Sequence, residues 1–144
     1  MNAPGVDSYS KPLVGTTLLS LEKRNYSWFF RFSNDVLLAT ESSWRFLNSE
    51  RIVVTSEDHE HQFGLAAPVD AAASVLAGVA QAPVADATIT HRTGDLVVDF
   101  GNGARLQYLQ MSGGYESWRL YTFGTETICT GGGEITSLRT DANQ

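Results

Sequence analysis

FRFSNDVLLATESSWRF, from Phe30 to Phe46, and VDFGNGARLQY, from Val98 to Tyr108 with ESWRLY following from Glu116 to Tyr121, decide the fold of this chain. Laid over each other they share their punctuation. Phe32 falls on Phe100, the turn at Asn34 on Asn102, Leu38 on Leu106, and Trp44-Arg45 on Trp118-Arg119 after a six-residue insertion. Upstream, Leu21 falls on Ile89 and Trp28 on Leu96 without gaps. Self-similarity of this kind predicts a duplicated β-meander.

Inside each copy the apolar period is two. Trp28, Phe30 and Phe32 share one face while Phe29 and Arg31 share the other, the pattern of a half-buried strand. Ser33-Asn34-Asp35 supplies a turn, and Val36 to Glu41 returns as the second strand of a hairpin. Trp44 and Phe46, then Ile52 and Val54, continue the alternation, and Phe63 with Leu65 is expected to close the first half as a strand. In the second half Thr88 to His91 and Asp95 to Phe100 read as strands, with Leu106 and Tyr108 on the return. Gly101-Asn102-Gly103 is the strongest hairpin signal, because glycine takes positive φ at little cost. Between the halves, Pro68-Val69-Asp70 opens a short helix over about residues 68–80, with Val69, Ala73 and Leu76 on one face and Gly78 with Pro83 marking its end.

The expectation is therefore a mainly β protein: a duplicated β-meander forming a two-sheet sandwich or flattened barrel, with one short helix bridging the halves. Residues 1–12 read as a flexible tail, 13–138 as one domain with half-repeats at about 13–66 and 84–138, and 139–144 as a second flexible tail. A chain of 144 residues, 42% apolar and 18% charged, supports one ordinary core.

Met1 to Pro12 carries neither the basic start nor the apolar run of a signal peptide, and Ala71 to Ala80 is too short to span a bilayer. A lone Cys129 forms no internal disulfide, in keeping with a reducing compartment, so residence in the cytoplasm without a membrane partner is expected. Sixteen acidic residues against ten basic ones give a net charge of −6. That field repels phosphate backbones, which argues against nucleic acid, and steers the chain toward basic protein surfaces.

Glu57-Asp58-His59-Glu60-His61 is the densest polar cluster. On a strand His59 and His61 would offer two metal nitrogens, but a zinc site needs three or four ligands, so no metal is expected. Glu57, Asp58 and Glu60 are the partner-binding candidates, as an acidic edge beside the Phe63 and Leu65 segment. Nucleophilic use of Cys129 would need a base such as His91 and an orienting group. A small buried residue on a core strand is the expected role. Gly131 to Gly133, lacking a strand-to-helix transition, reads as a tight turn or bulge rather than a phosphate loop. Glu41, Arg45, Glu116 and Arg119 form two E-x(1,2)-W-R units that predict symmetric structural ion pairs around Trp44 and Trp118 as core anchors. No catalytic set and no cofactor emerges.

Tyr115-Glu116-Ser117-Trp118, then Ile128-Cys129 and Gly131-Gly132-Gly133-Glu134-Ile135, resembles the C-terminal signature of a widespread bacterial family of small uncharacterised β-rich proteins. With an opening G-x-x-L-x-x-L at Gly15 to Leu21, the likeness spans Gly15 to Ile135. Such proteins are similar to candidate immunity proteins that neutralise secreted polymorphic toxins. The resemblance bears on fold more than on function; together with the acidic charge, the missing catalytic set and the expected cytoplasmic residence it leads to the expectation of a non-enzymatic module, monomer or homodimer, that binds a basic cognate toxin domain and masks its active site. Two other classes stay open: a small-ligand-binding β-barrel with a cavity lined by Trp28, Tyr108 and Tyr121, and a metal-dependent or cysteine hydrolase.

Overall fold

Alternating burial resolves into eleven strands within residues 6–140, the residues described by a computed structural model. The first half contributes β1 (Leu18–Arg24), β2 (Ser27–Phe32), β3 (Val36–Thr40), β4 (Trp44–Asn48) and β5 (Arg51–Thr55). After the helix α1 (Ala71–Val79) come β6 (Asp86–Ile89), β7 (Leu96–Asp99), β8 (Ala104–Tyr108), β9 (Trp118–Thr122), β10 (Thr125–Cys129) and β11 (Ile135–Arg139). All pairs are antiparallel, and they build two sheets, β1-β2-β3-β9-β10-β11 and β5-β4-β8-β7-β6. The sheets stack as a sandwich and do not close, so the barrel alternative is corrected. No helix among the described residues is long and apolar enough to cross a membrane.

The halves interleave. Each sheet joins the three-stranded meander of one half to strands of the other, across the seams β3·β9 and β8·β4. The registers match position for position: Leu38 faces Leu120 and Thr40 faces Trp118 in one seam, while Leu106 faces Phe46 and Tyr108 faces Trp44 in the other. Trp44 and Trp118 are thus equivalent, as are Leu38 and Leu106. Upstream the gapless alignment fails. Leu21 faces Phe30 and Ala87 faces Val98, so Leu21 corresponds to Ala87 rather than Ile89. The cause is the connection from β6 to β7, which is longer than the turn at Asn25-Tyr26.

Three other expectations are corrected. Phe63 and Leu65 form no strand: Phe63 (φ 47°) and Gly64 (φ 73°) are left-handed, Leu65 N donates to Gln62 O, and both side chains are exposed. Residues 6–12 are no loose tail. Val6–Tyr9 and Lys11–Leu13 are 3-10 turns, Ser10 Oγ donates to Ala87 O (2.7 Å), and Asp7 Oδ1 accepts from Ile89 N (2.8 Å). This segment covers the outer edge of β6, which would otherwise present unpaired backbone groups. At the other end Arg139 lies in β11 and Thr140 N donates to Gly124 O (3.0 Å). Residues 1–5 and 141–144 of the expected tails lie outside the described residues.

Asp70 caps α1 by accepting from Ala73 N (3.1 Å), so Val69 precedes the helix and the expected Val69–Ala73–Leu76 face is not the buried one. Ala71, Val75 and Val79, spaced by four, face inward as α1 packs on β1, β5 and β8. The helix ends at Ala80, which takes the left-handed cap conformation (φ 53°). Gly78, expected to mark that end, is instead an internal contact: a Cβ there would stand 2.5 Å from Phe46 Cε2.

The core is aromatic at its centre. Trp44 meets Trp28 (5.1 Å) and Phe30 (5.4 Å) edge to face, and Phe30 meets Tyr108 (4.9 Å) the same way. Trp44, Tyr108 and Trp118 are wholly buried. The Tyr108 hydroxyl has no hydrogen-bond partner among the described residues, and burial pushes its pKa well above the ordinary value.

Two outcomes follow from this packing. Replacing a helix-interior glycine with alanine ordinarily stabilises by about 1 kcal/mol. Here Gly78→Ala is expected to destabilise by about 1–3 kcal/mol, because the added methyl strikes the fully buried Phe46 ring. Urea titration of both proteins checks the sign. Tyr108→Phe is expected to leave stability unchanged or raise it by about 1 kcal/mol, since it removes an unpartnered buried hydroxyl. The folded-state pKa is raised, so the native chain loses stability as pH climbs past the unfolded tyrosine value of about 10. Tyr108→Phe removes that alkaline loss, which denaturation midpoints across alkaline pH would reveal.

Candidate functional site

The two ends of the sandwich differ in kind. At one end the strands are joined by tight turns at residues 33–35, 49–50 and 123–124. At the other lie the crossings 41–43 and 109–117, the loops 90–95 and 130–134, the short turn 25–26, and the long segment 56–70 leading into α1. Because β3 leads into β4, and β8 into β9, across this second end, both seams bring their flanking residues there. Loops held on a rigid scaffold are a common seat of recognition.

Glu57, Asp58 and Glu60 all fall on this end but do different things. Asp58 Oδ2 accepts from Thr55 N (2.9 Å) while Thr55 Oγ1 accepts from Glu57 N (3.1 Å), a capping box that closes the 3-10 turn Ser56–Asp58. Asp58 is therefore a structural cap rather than a free acid. The Glu57 carboxylate accepts from Ser43 Oγ (2.7 Å) at the surface, tying this turn to the β3–β4 crossing. Glu60 is exposed, held at φ 70°, with its carboxylate 3.5 Å from His59 Nε2.

The two histidines are separated in role. His59 Nδ1 accepts from Ala71 N (3.1 Å) at the start of α1, and its ring stands edge-on to Trp28 at 5.0 Å. His61 stacks on Phe63 at 5.6 Å. Among the described residues no three His, Cys, Asp or Glu side chains gather to hold a metal.

A groove that sequence reasoning missed runs over the β3·β9 seam. Two adjoining depressions, of about 300 and 430 Å³, share Glu41 and Glu116 in their walls. Phe29, Ala39, Arg119 and Tyr121 floor the first, on the outer face of the sheet; Ser42, Gln110, Ser112 and Tyr115 line the second, over the loop end. Arg119 donates to Glu116 and, at 2.9 Å, to Glu126; the hydrogen bond to Glu116 is the chief cause of a guanidinium pKa raised above its ordinary value. Arg45, its counterpart in the repeat, donates instead to Gln107, while Glu41 accepts from Ser27 Oγ (3.3 Å). The expected symmetric ion pairs are thus corrected. Glu41 follows β3 and Glu116 precedes β9, so they flank one seam and are not repeat equivalents. The spacing E-x-x-W against E-x-W, one residue out of step, was the available signal.

Cys129 is buried on β10, with Sγ 3.4 Å from Gly94 O, and burial pushes its thiol pKa up, against formation of a thiolate. Trp118 Nε1 donates to the same carbonyl at 2.8 Å. Gln110 Nε2 donates to Thr130 O (2.7 Å) and Tyr115 O (3.1 Å), and Gln110 N donates to Asp95 Oδ1 (2.8 Å). Gly131 packs on Gly114 and Gly133 on Thr93 so closely that a Cβ at either would overlap main chain. The Gly131–Gly133 run is thus a tight turn that locks three loops together. His91 is exposed and lines a separate depression with Ile89 and Glu134, so it is not assembled with Cys129. Trp28 and Tyr108 are core residues whereas Tyr121 lies on an outer face, so the three line no common ligand cavity.

The family of unknown function DUF6188 matches residues 28–139, from the start of β2 to the end of β11, and the chain belongs to that family. No curated protein and no solved structure matches the chain.

The division of labour in the acidic turn has a direct test by thermal unfolding. Asp58→Ala is expected to cost about 0.5–2 kcal/mol through the lost cap. Glu60→Lys, at an exposed position, is expected to change stability by less than about 0.5 kcal/mol.

Proposed function

We propose that this member of a family of unknown function is a non-enzymatic protein-binding module whose loop end docks on a basic partner surface. In its most concrete form it is a cytoplasmic immunity protein that masks the active site of a bacterial toxin domain. The observation that carries the reading is the make-up of the loop end. Tyr26, Phe63, Leu65, Met111 and Tyr115 are exposed there, among the carboxylates of Glu41, Glu57, Glu60 and Glu116. Aromatic and apolar anchors are what a protein interface buries at its centre, and charges around them set encounter rate and orientation.

The charge asymmetry is steep. Between Arg51 and Arg92 the sequence has no lysine or arginine but five acids, Glu57, Asp58, Glu60, Asp70 and Asp86. The segment that supplies Phe63 and Leu65 therefore carries no positive charge of its own; Lys23 and Arg24 at the end of β1, and Arg92 in the 90–95 loop, are cations at the same end. The loops are also tied together before any encounter, by Gln110, the Gly131–Gly133 turn and the Ser43–Glu57 hydrogen bond. Preorganisation of this kind lowers the entropy cost of binding. The resemblance of the Tyr115–Trp118 and Gly131–Ile135 segments to a β-rich family whose members are similar to candidate immunity proteins supports the same reading.

Capture of partners from the native organism, followed by association kinetics at low and high salt, tests the proposal. Glu57→Lys with Glu60→Lys is expected to slow association by about tenfold or more at low salt while leaving the unfolding midpoint in place. Recovery of no protein partner, or an association rate indifferent to both salt and reversal, would remove it.

A further inference from the structure

Resting on the protein-binding reading, we propose that the groove over the β3·β9 seam is a slot for one arginine side chain presented by the partner. Four carboxylates, Glu22, Glu41, Glu116 and Glu126, stand against two cations at this groove: Arg24, which lies over the Phe29 ring and pairs with Glu22, and Arg119. Arg119 is already occupied by Glu116 and Glu126. The Glu41 carboxylate has only the long contact with Ser27 Oγ, and one oxygen of Glu116 has no partner among the described residues. The groove is therefore two negative charges in excess, and its unspent acceptors are the two carboxylates shared by both depressions.

The walls suit a side chain with an apolar stem and a flat cationic head. Ala39 and the Tyr121 ring offer apolar surface along the first depression, where Phe29 already carries this chain's own Arg24 guanidinium 5.6 Å from its ring centre, and Tyr115 stands 82% exposed beside the second. Long basic side chains lay their methylenes on such surface while the head reaches polar groups. A guanidinium also bonds carboxylates in a fixed fork and stacks on aromatic faces, which an ammonium does not do as well. A slot of about 300 Å³ opening into one of about 430 Å³ gives the stem and the head separate room. This site is distinct from Glu57 and Glu60, which steer from the neighbouring turn.

Titration of isotope-labelled protein with a capped glycine-arginine-glycine peptide, followed by amide chemical shifts, reads the slot directly. Saturable shifts are expected for residues 39–41 and 115–121, weaker for the lysine analogue and absent for the glutamate analogue. Glu41→Gln, an exposed substitution that leaves the core untouched, is expected to weaken the arginine peptide by about two- to fivefold, and Glu57→Gln to leave it unchanged. Shifts centred on residues 57–60, or none that saturate, would overturn the slot. With a captured partner, binding to Glu41→Gln as tight as to the unaltered chain would also overturn it, yet leave loop-end docking standing. Groove shifts with the peptide, together with failure to capture any partner, would uphold the slot and reject the docking reading.

Discussion

Two strand pairs that cross between the halves, β3 with β9 and β4 with β8, are the constraint on which everything else rests. Neither half contains a complete sheet. The meander of the first half ends at β3, and the strand that covers that edge, β9, comes from the second half; the reverse holds at β8 and β4. Each incoming strand leads with a tryptophan, and both are wholly buried. Equivalent placement does not mean equivalent chemistry. The Trp118 indole donates to Gly94 O, which draws the 90–95 loop inward, whereas Trp44 spends its surface on edge-to-face contacts with Trp28 and Phe30.

The same crossings explain why polar chemistry gathers at one end. A chain that leaves one sheet and enters the other must turn over the edge of the core, and both crossings do so at the same end. The first is three residues long and places Glu41 and Ser43 there; the second is longer, bringing Gln110, Tyr115 and Glu116. Once the seam is zipped, Glu41 and Glu116 lie at its mouth whatever else the loops do. Glycines at 94, 131 and 133 then let main chain pack on main chain, so that loop rigidity comes from backbone contact and not from a second core.

Much of this was legible in the sequence because periodicity and repetition report on packing. The match of Leu38 with Leu106 and Trp44 with Trp118 holds in the seam registers, since both pairs sit on strands whose burial pattern the alternation encodes. The interleaving was not legible: a repeat says that two segments adopt the same local form, not which of them pair. A gapless alignment sets Leu21 against Ile89 whereas the register sets it against Ala87, because loop length carries no periodic signal. Phe63 and Leu65 imitate a strand by being apolar at alternate positions, but Gly64 between them permits the left-handed turn that the backbone takes. In the candidate site the acidic turn was visible as composition. The capping role of Asp58 was not, because it depends on Thr55 standing at the end of β5. The Glu41–Glu116 groove joins residues far apart in sequence, and only the seam brings them together.

The interleaved topology also sets conditions on synthesis. A ribosome delivers β1 to β5 well before β8 and β9, so the first half emerges with two strand edges, at β3 and β4, whose complements have not yet been made. Both edges belong to strands rich in Leu, Val, Trp and Phe, the kind that recruits neighbouring chains when left open. Pairing across such long sequence separations is intrinsically slow, because loop closure precedes any reward from contact. The nascent chain must therefore stay unassembled, or be shielded, until β8 and β9 have left the tunnel. A fragment ending before β8 is accordingly expected to aggregate rather than to fold as half a protein.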